Sequence, residues 1–174
     1  MSPESLTETH NRYVEKVCSI FVRIASPKHR FAVQETCLTS PTSATIPHGT
    51  DVVHFDIFLI HETGGRTIHY CVECKTRSEC SPSTSSDLKS HLKIFLQKAY
   101  NTVDWLDSRY PGDYGYMFIS KVPFGVSDDN LTFDYIRNAL DGSTTPDSNR
   151  ITKLISKVRI MVFSEWYANL FKEE

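Results

Sequence analysis

Three consecutive stretches carry the fold: Val52-Val53-His54-Phe55-Asp56-Ile57-Phe58-Leu59-Ile60-His61, then Glu62-Thr63-Gly64-Gly65-Arg66, then Thr67-Ile68-His69-Tyr70-Cys71-Val72-Glu73-Cys74-Lys75. The outer two are rich in β-branched and aromatic residues and read as strands, Val52 to His61 and Thr67 to Lys75. The glycine pair between them suits a tight hairpin, because glycine reaches positive φ without steric cost. Asp56 interrupts an apolar run, where a carboxylate is costly unless it is paired or holds a cation. Strand side chains alternate, so Glu73 and Lys75 project together. The hairpin then brings Asp56 beside them. Two carboxylates and an ammonium at one sheet edge suit a hard divalent cation, Mg²⁺ or Mn²⁺. The lysine is placed to orient a water or to offset charge building on a phosphate.

Outward from this hairpin, an amphipathic helix is expected from about Glu4 to Ile24, with Leu6, Tyr13, Val14, Val17, Ile20, Phe21 and Ile24 on one side. A strand near Phe31 to Leu38 and a Thr/Ser/Pro loop precede the hairpin. A long helix from about Asp87 to Asp107 follows, with Leu88, Leu92, Phe95, Ala99, Val103 and Leu106 as its buried stripe. Next come a strand from Tyr116 to Val122 and a helix from about Asn130 to Leu140. A strand from Val158 to Phe163 and a short helix around Glu165 to Phe171 complete the chain. The stretches Cys80 to Ser86 and Asp141 to Asp147 read as loops. The order is αβββαβ followed by αβα, an α/β arrangement with a mixed sheet.

Asp56 followed by Glu73-x-Lys75 on the next strand, within αβββαβ, resembles the PD-(D/E)xK nuclease superfamily, which has the restriction-endonuclease-like fold. Phe55 stands where the family name has proline. The resemblance covers about residues 4–122. It implies a mixed central sheet flanked by helices, and Mg²⁺-dependent hydrolysis of nucleic-acid phosphodiesters. It also implies Asp56 and Glu73 as metal ligands with the Cys74 backbone carbonyl, and Lys75 as the catalytic lysine. Glu15 is the positional match to a first-helix metal ligand found in such families. Gln97-Lys98-Ala99-Tyr100 is similar to the Gln/Tyr motif of the RecB-like and lambda-exonuclease-like branches, with the tyrosine one residue closer. Gln97 is therefore a further candidate at the site.

Lys89, Lys93 and Gln97 recur every four residues on the helix side away from its buried stripe. With Lys98 and Tyr100 they are candidate nucleic-acid contacts, as are Arg150, Lys153 and Lys157, in a run without an acid. An ordinary solvated face explains Lys89, Lys93 and Gln97 equally well, and the basic run can instead balance the acidic Asp128-Asp129 and Asp134 region. Cys71-x-x-Cys74, with His69 and Cys80 near, invites a zinc site, but residues three apart on a strand point to opposite faces. His54 and His69 share faces with Asp56 and Glu73 respectively.

The whole chain of 174 residues, 40% hydrophobic and 23% charged, reads as one globular domain with a core of about 4–122 and an extension of about 123–174. A formal net charge of -2 argues against coating a polyanion through bulk charge, so a local basic face and a weak, salt-sensitive grip are expected. Five cysteines, with no basic n-region or apolar h-region at the start, lead to an expectation of a reduced, cytoplasmic protein. No apolar run approaches the roughly 20 residues of a membrane span. The expected function is metal-dependent cleavage of nucleic acid, DNA rather than RNA, with a homodimer or partner protein supplying further affinity. The alternatives are a nuclease-fold interaction module of a larger nucleoprotein or defence assembly, and a metal-dependent small-molecule phosphohydrolase.

Overall fold

In the computed structural model, the described residues are 3–39, 44–76, 82–140 and 145–163. Helix α1 (Pro3–Arg23) leads into β1 (His29–Thr36), a small hairpin of β2 (Thr45–His48) and β3 (Asp51–His54), then β4 (Ile57–Thr63) and β5 (Arg66–Lys75). Helix α2 (Pro82–Arg109) and β6 (Tyr114–Ser120) follow. A 3-10 turn (Asp128–Asn130), α3 (Phe133–Ala139), α4 (Ser148–Lys157) and β7 (Val158–Val162) complete the described chain.

The main sheet runs β1-β4-β5-β6-β7. Its β1, β4 and β5 are antiparallel neighbours, whereas β5, β6 and β7 are parallel. Gly64 and Gly65, at φ of 56° and 77°, turn β4 into β5, as a two-residue hairpin requires. The register pairs Thr63 with Arg66 at the turn and Ile57 with Val72 at the far end. Helix α1 covers one face: Tyr13, Val14, Val17 and Phe21 pack on Ile57, Leu59, Val72, Cys74 and Ile119. On the other face, Leu88, Leu92, Phe95, Leu96, Ala99 and Val103 of α2 pack on Cys71, Tyr116 and Phe118. Strand β6, covered on both sides, is buried along its whole length, as expected for the centre of a parallel segment. Gly115 within it is a close approach, because an added Cβ would lie 2.6 Å from a Tyr70 ring carbon.

The expected α/β class with a mixed sheet between helices is observed. Several expected elements differ. The strand expected from Val52 to His61 is two strands, β3 and β4, in different sheets, because the backbone bends at Phe55-Asp56. The loop expected through Pro82 to Ser86 is the first turn of α2, where proline without an N–H is tolerated. The stretch around Arg150, for which the sequence suggested no element, is helix α4, capped by Asp147, whose carboxylate accepts from Asn149 N–H at 2.7 Å and Arg150 N–H at 3.3 Å. The described part of the extension therefore reads ααβ. The helix expected around Glu165 to Phe171 lies outside the described residues, as do Cys80 and residues 141–144.

Candidate functional site

Phe55 and Ile57 are two residues apart and both buried, yet they face opposite sides of the sheet. Phe55 packs in the α2 cluster and Ile57 in the α1 cluster. In a regular strand they would share a face, so the chain turns over at Asp56. Asp56 thus stands at a bend leading into β4, and not within a continuous strand. Its backbone is fixed on both sides: its N–H donates to the Val72 carbonyl at 2.9 Å, and its carbonyl accepts from Cys37 N–H at 2.8 Å.

The Asp56 side chain is 14% exposed. Oδ2 accepts from the Cys74 backbone N–H at 2.7 Å, taking up a donor that the end of β4 leaves without a ladder partner. Oδ1 lies 3.2 Å from Nε2 of His10 on α1. Burial alone would raise the carboxyl pKa, but His10, the Cys74 N–H and the Lys75 ammonium together hold it below the usual carboxylate range. Asp56 is therefore ionised at neutral pH.

Glu73 and Lys75 share one face of β5, as alternation requires, and Glu73 is only 5% exposed. Its Oε1 is 2.8 Å from Lys75 Nζ, and its Oε2 accepts from Lys98 Nζ of α2 at 2.9 Å. The Lys98 ammonium lies 5.9 Å from the centroid of the Phe55 ring. Burial would lower the Lys75 pKa, but Glu73 and Asp56 outweigh it and raise it, so Lys75 stays protonated. Because Ile57 pairs with Val72, Asp56 and Glu73 stand on neighbouring strand ends, with Lys75 under the influence of both. A residue's N–H and C=O project to the same side of a strand, so the Cys74 carbonyl lies on the β4 side, as its N–H does.

Three neighbours of this group were not expected from sequence as part of it. His10 precedes Tyr13 and Val14 by three and four residues, so it continues the apolar stripe towards the sheet, a signal that was present in the spacing. Cys37, just past β1, carries no comparable signal. Burial and the neighbouring Asp56 carboxylate push its thiol up to about 11. Lys98, expected on nucleic acid, instead binds Glu73.

The other candidates are placed elsewhere. Glu15 is exposed on α1, and Gln97 is exposed on α2 beside Lys98. Lys89 and Lys93 are exposed on the outer side of α2, as expected. The basic run is not an open face. Arg150 and Lys153 reach Asp104 and Asp107 of α2 at 2.6 and 2.7 Å, and Lys157 Nζ donates to the Gly112 carbonyl at 2.6 Å. The Tyr100 hydroxyl accepts from Asp147 N–H at 2.7 Å, and its ring lies under the Arg150 guanidinium. These residues dock α4 on α2, because α4 presents its cations to the acidic last turns of α2. His54 is exposed, and His69 stacks on Tyr110 with centroids 3.7 Å apart. Cys71 and Cys74 lie in opposite clusters, so they cannot ligate one ion.

A cleft of about 230 Å³ on the α2 side is lined by Phe58, His69, Trp105, Arg109 and Tyr110, among others, but by neither Asp56 nor Glu73. Among the described residues, no helix is long and apolar enough to cross a membrane. Comparison with protein-family models, with curated proteins and with solved structures finds no match to the chain.

Proposed function

We propose that the protein is a divalent-cation-dependent nuclease with a restriction-endonuclease-like core, acting on DNA. The observation that carries this reading is the placement of Asp56 and Glu73 at neighbouring strand ends, with Lys75 paired to Glu73 and influenced by Asp56, and a helix on either face of the sheet. The order α1, β1, β4, β5, α2, β6 supports the same core.

The donor set fits a hard cation. A carboxylate oxygen has two lone pairs, so the partners of Asp56 and Glu73 do not use up their capacity to bind a cation, and the Cys74 carbonyl projects to the β4 side. Asp56, Glu73 and the Cys74 carbonyl would hold Mg²⁺ or Mn²⁺. Such a cation supplies Lewis-acid polarisation of a phosphate and lowers the pKa of a bound water. Lys75, kept protonated by two carboxylates, is positioned to hydrogen-bond the attacking water or a phosphate oxygen and to offset the charge that develops there. Lys98 holds the second Glu73 oxygen and so fixes the carboxylate's orientation. The exposed line Lys89, Lys93 and Gln97 leads along α2 towards Lys98 and offers backbone phosphates a path to the site.

The test is incubation with supercoiled plasmid, linear duplex, single-stranded DNA and RNA, each with Mg²⁺, Mn²⁺ or chelator. Glu73→Gln and Lys75→Ala serve as controls, with folding checked by circular dichroism. Cleavage of DNA that needs the cation and is lost in both variants is expected. Cleavage surviving both would refute the site. Binding without any cleavage would favour the interaction-module reading.

A further inference from the structure

Asp56 is also one corner of a second group of donors. His10 from α1, Cys37 from the end of β1 and Asp56 from the bend before β4 each bring one ligand atom, and all three atoms lie within 4.8 Å of one another. We propose that His10 Nε2, Cys37 Sγ and an Asp56 carboxylate oxygen form a binding site for a borderline-soft divalent cation of the zinc class. Its occupancy would take Asp56 away from the Glu73 pair.

The donor chemistry selects the ion. One imidazole, one thiolate and one carboxylate suit Zn²⁺ and its neighbours, whereas Mg²⁺ prefers oxygen alone. Tetrahedral zinc, with bonds of about 2.0–2.3 Å, separates its ligands by roughly 3.3–3.6 Å. Closing three atoms from within 4.8 Å to that spacing asks for side-chain shifts of about 1 Å, without backbone rearrangement.

The backbone already holds two of the ligands in place. Cys37 N–H donates to the Asp56 carbonyl at 2.8 Å, and Asp56 N–H donates to Val72 at 2.9 Å. The Cys74 N–H bond to Oδ2 orients the carboxylate, as hydrogen bonds to ligating groups do in metal sites. All three residues are half-buried, so an ion can enter and a water can fill the fourth position. On binding, Cys37 releases its thiol proton to solvent, leaving a thiolate and a carboxylate to neutralise the two positive charges. The ion would also cross-link α1 to the sheet.

Zinc binding stands apart from any catalytic reading; its effect on cleavage rests on the proposed nuclease function. Binding is tested with Co²⁺ in place of Zn²⁺. The wild-type chain is expected to show tetrahedral d–d bands and a thiolate-to-cobalt charge-transfer band. Cys37→Ser should lose the charge-transfer band, while Cys18→Ser and Cys80→Ser should keep it. Competition with a chromophoric chelator should give one Zn²⁺ per chain, weakened at least about tenfold in His10→Ala. No charge-transfer band in the wild type, or a band that survives Cys37→Ser, overturns the site. Zn²⁺ added to a Mg²⁺-dependent cleavage reaction should inhibit the wild type and inhibit Cys37→Ser less. Zinc bound with cleavage unaffected overturns the competition for Asp56. A chain that binds zinc through Cys37 but cuts no substrate refutes the nuclease reading and leaves the metal site standing.

Discussion

The Glu73–Lys75–Lys98 cluster and the Asp104–Asp107–Arg150–Lys153 cluster each tie α2 to a neighbouring element, the first to β5 and the second to α4. Both use two cations at similar distances, Lys75 and Lys98 from different elements and Arg150 and Lys153 from one helix. They differ in surroundings: the Glu73 side chain is 7% exposed, whereas Asp104 is 50% exposed. In water-exposed surroundings such pairs form cheaply and contribute little. A buried carboxylate with two ammonium partners costs several kcal/mol of desolvation per ion, and apolar residues of the same volume would join the helix to the sheet at least as well. Packing therefore accounts for the outer cluster, while a chemical use of the inner charges belongs to the proposed nuclease reading.

The largest effect expected from breaking this contrast is on stability. Glu73→Ala removes the bonded carboxylate of two partly buried ammonium groups and should cost about 3–5 kcal/mol in denaturant unfolding. Asp104→Ala should shift the melting temperature by no more than about 2 °C. Equal effects at the two positions would erase the distinction. Next in size is activity: Lys75→Ala should lower the rate of DNA cleavage by about 10²–10³-fold in a chain that still unfolds cooperatively. A third variant sharpens the contrast. Glu73→Leu combined with Lys98→Met should regain most of the stability that Glu73→Ala loses, yet regain no cleavage. Recovery of both would mean that the charges are structural.

The smallest effect is expected at Asp107. The Lys153 hydrogen bond holds its carboxyl below the usual value, against a small opposing effect of burial. A depressed carboxyl stabilises the fold above its unfolded pKa of about 3.9 and loses that contribution as pH falls through the folded value. Asp107→Asn should therefore slightly flatten the loss of stability below about pH 4. The difference should fade in about 1 M salt, where screening reaches about 3 Å. The cost of Glu73→Ala should persist in the same salt.

The hairpin was legible because a Gly-Gly pair between two β-rich runs has few other uses, and α1 and α2 were legible from their stripes. Asp56, Glu73 and Lys75 could be singled out because a carboxylate in an apolar run and an alternating Glu-x-Lys are visible without coordinates. The bend at Asp56 was not, because a run with apolar residues on both sides of Asp56 does not show where the chain changes face. Helix α4 was hidden when Arg150, Lys153 and Lys157 were read by charge alone, although Ile151 and Leu154 beneath them and the Asp147 cap mark a helix. Lys98 was missed as the partner of Glu73 because it borders the buried stripe of α2. One step round that helix, about 100°, separates it from the exposed Gln97. Cys37 depends on a contact across distant sequence and has no local signature.

The Gly64-Gly65 turn also bears on the order in which the protein assembles. It closes an antiparallel hairpin of short loop length, so pairing Ile57 with Val72, and with it the approach of Asp56 to Glu73, needs little chain closure. Strands β6 and β7 join in parallel only after helical crossovers have been ordered, which makes them the slower additions. His10, Cys37, Asp56, Glu73, Lys75 and Lys98 all precede β6 in the chain. Low contact order thus favours the early approach of Asp56 to Glu73 and Lys75, with His10 and Lys98 arriving as the helices pack on the sheet.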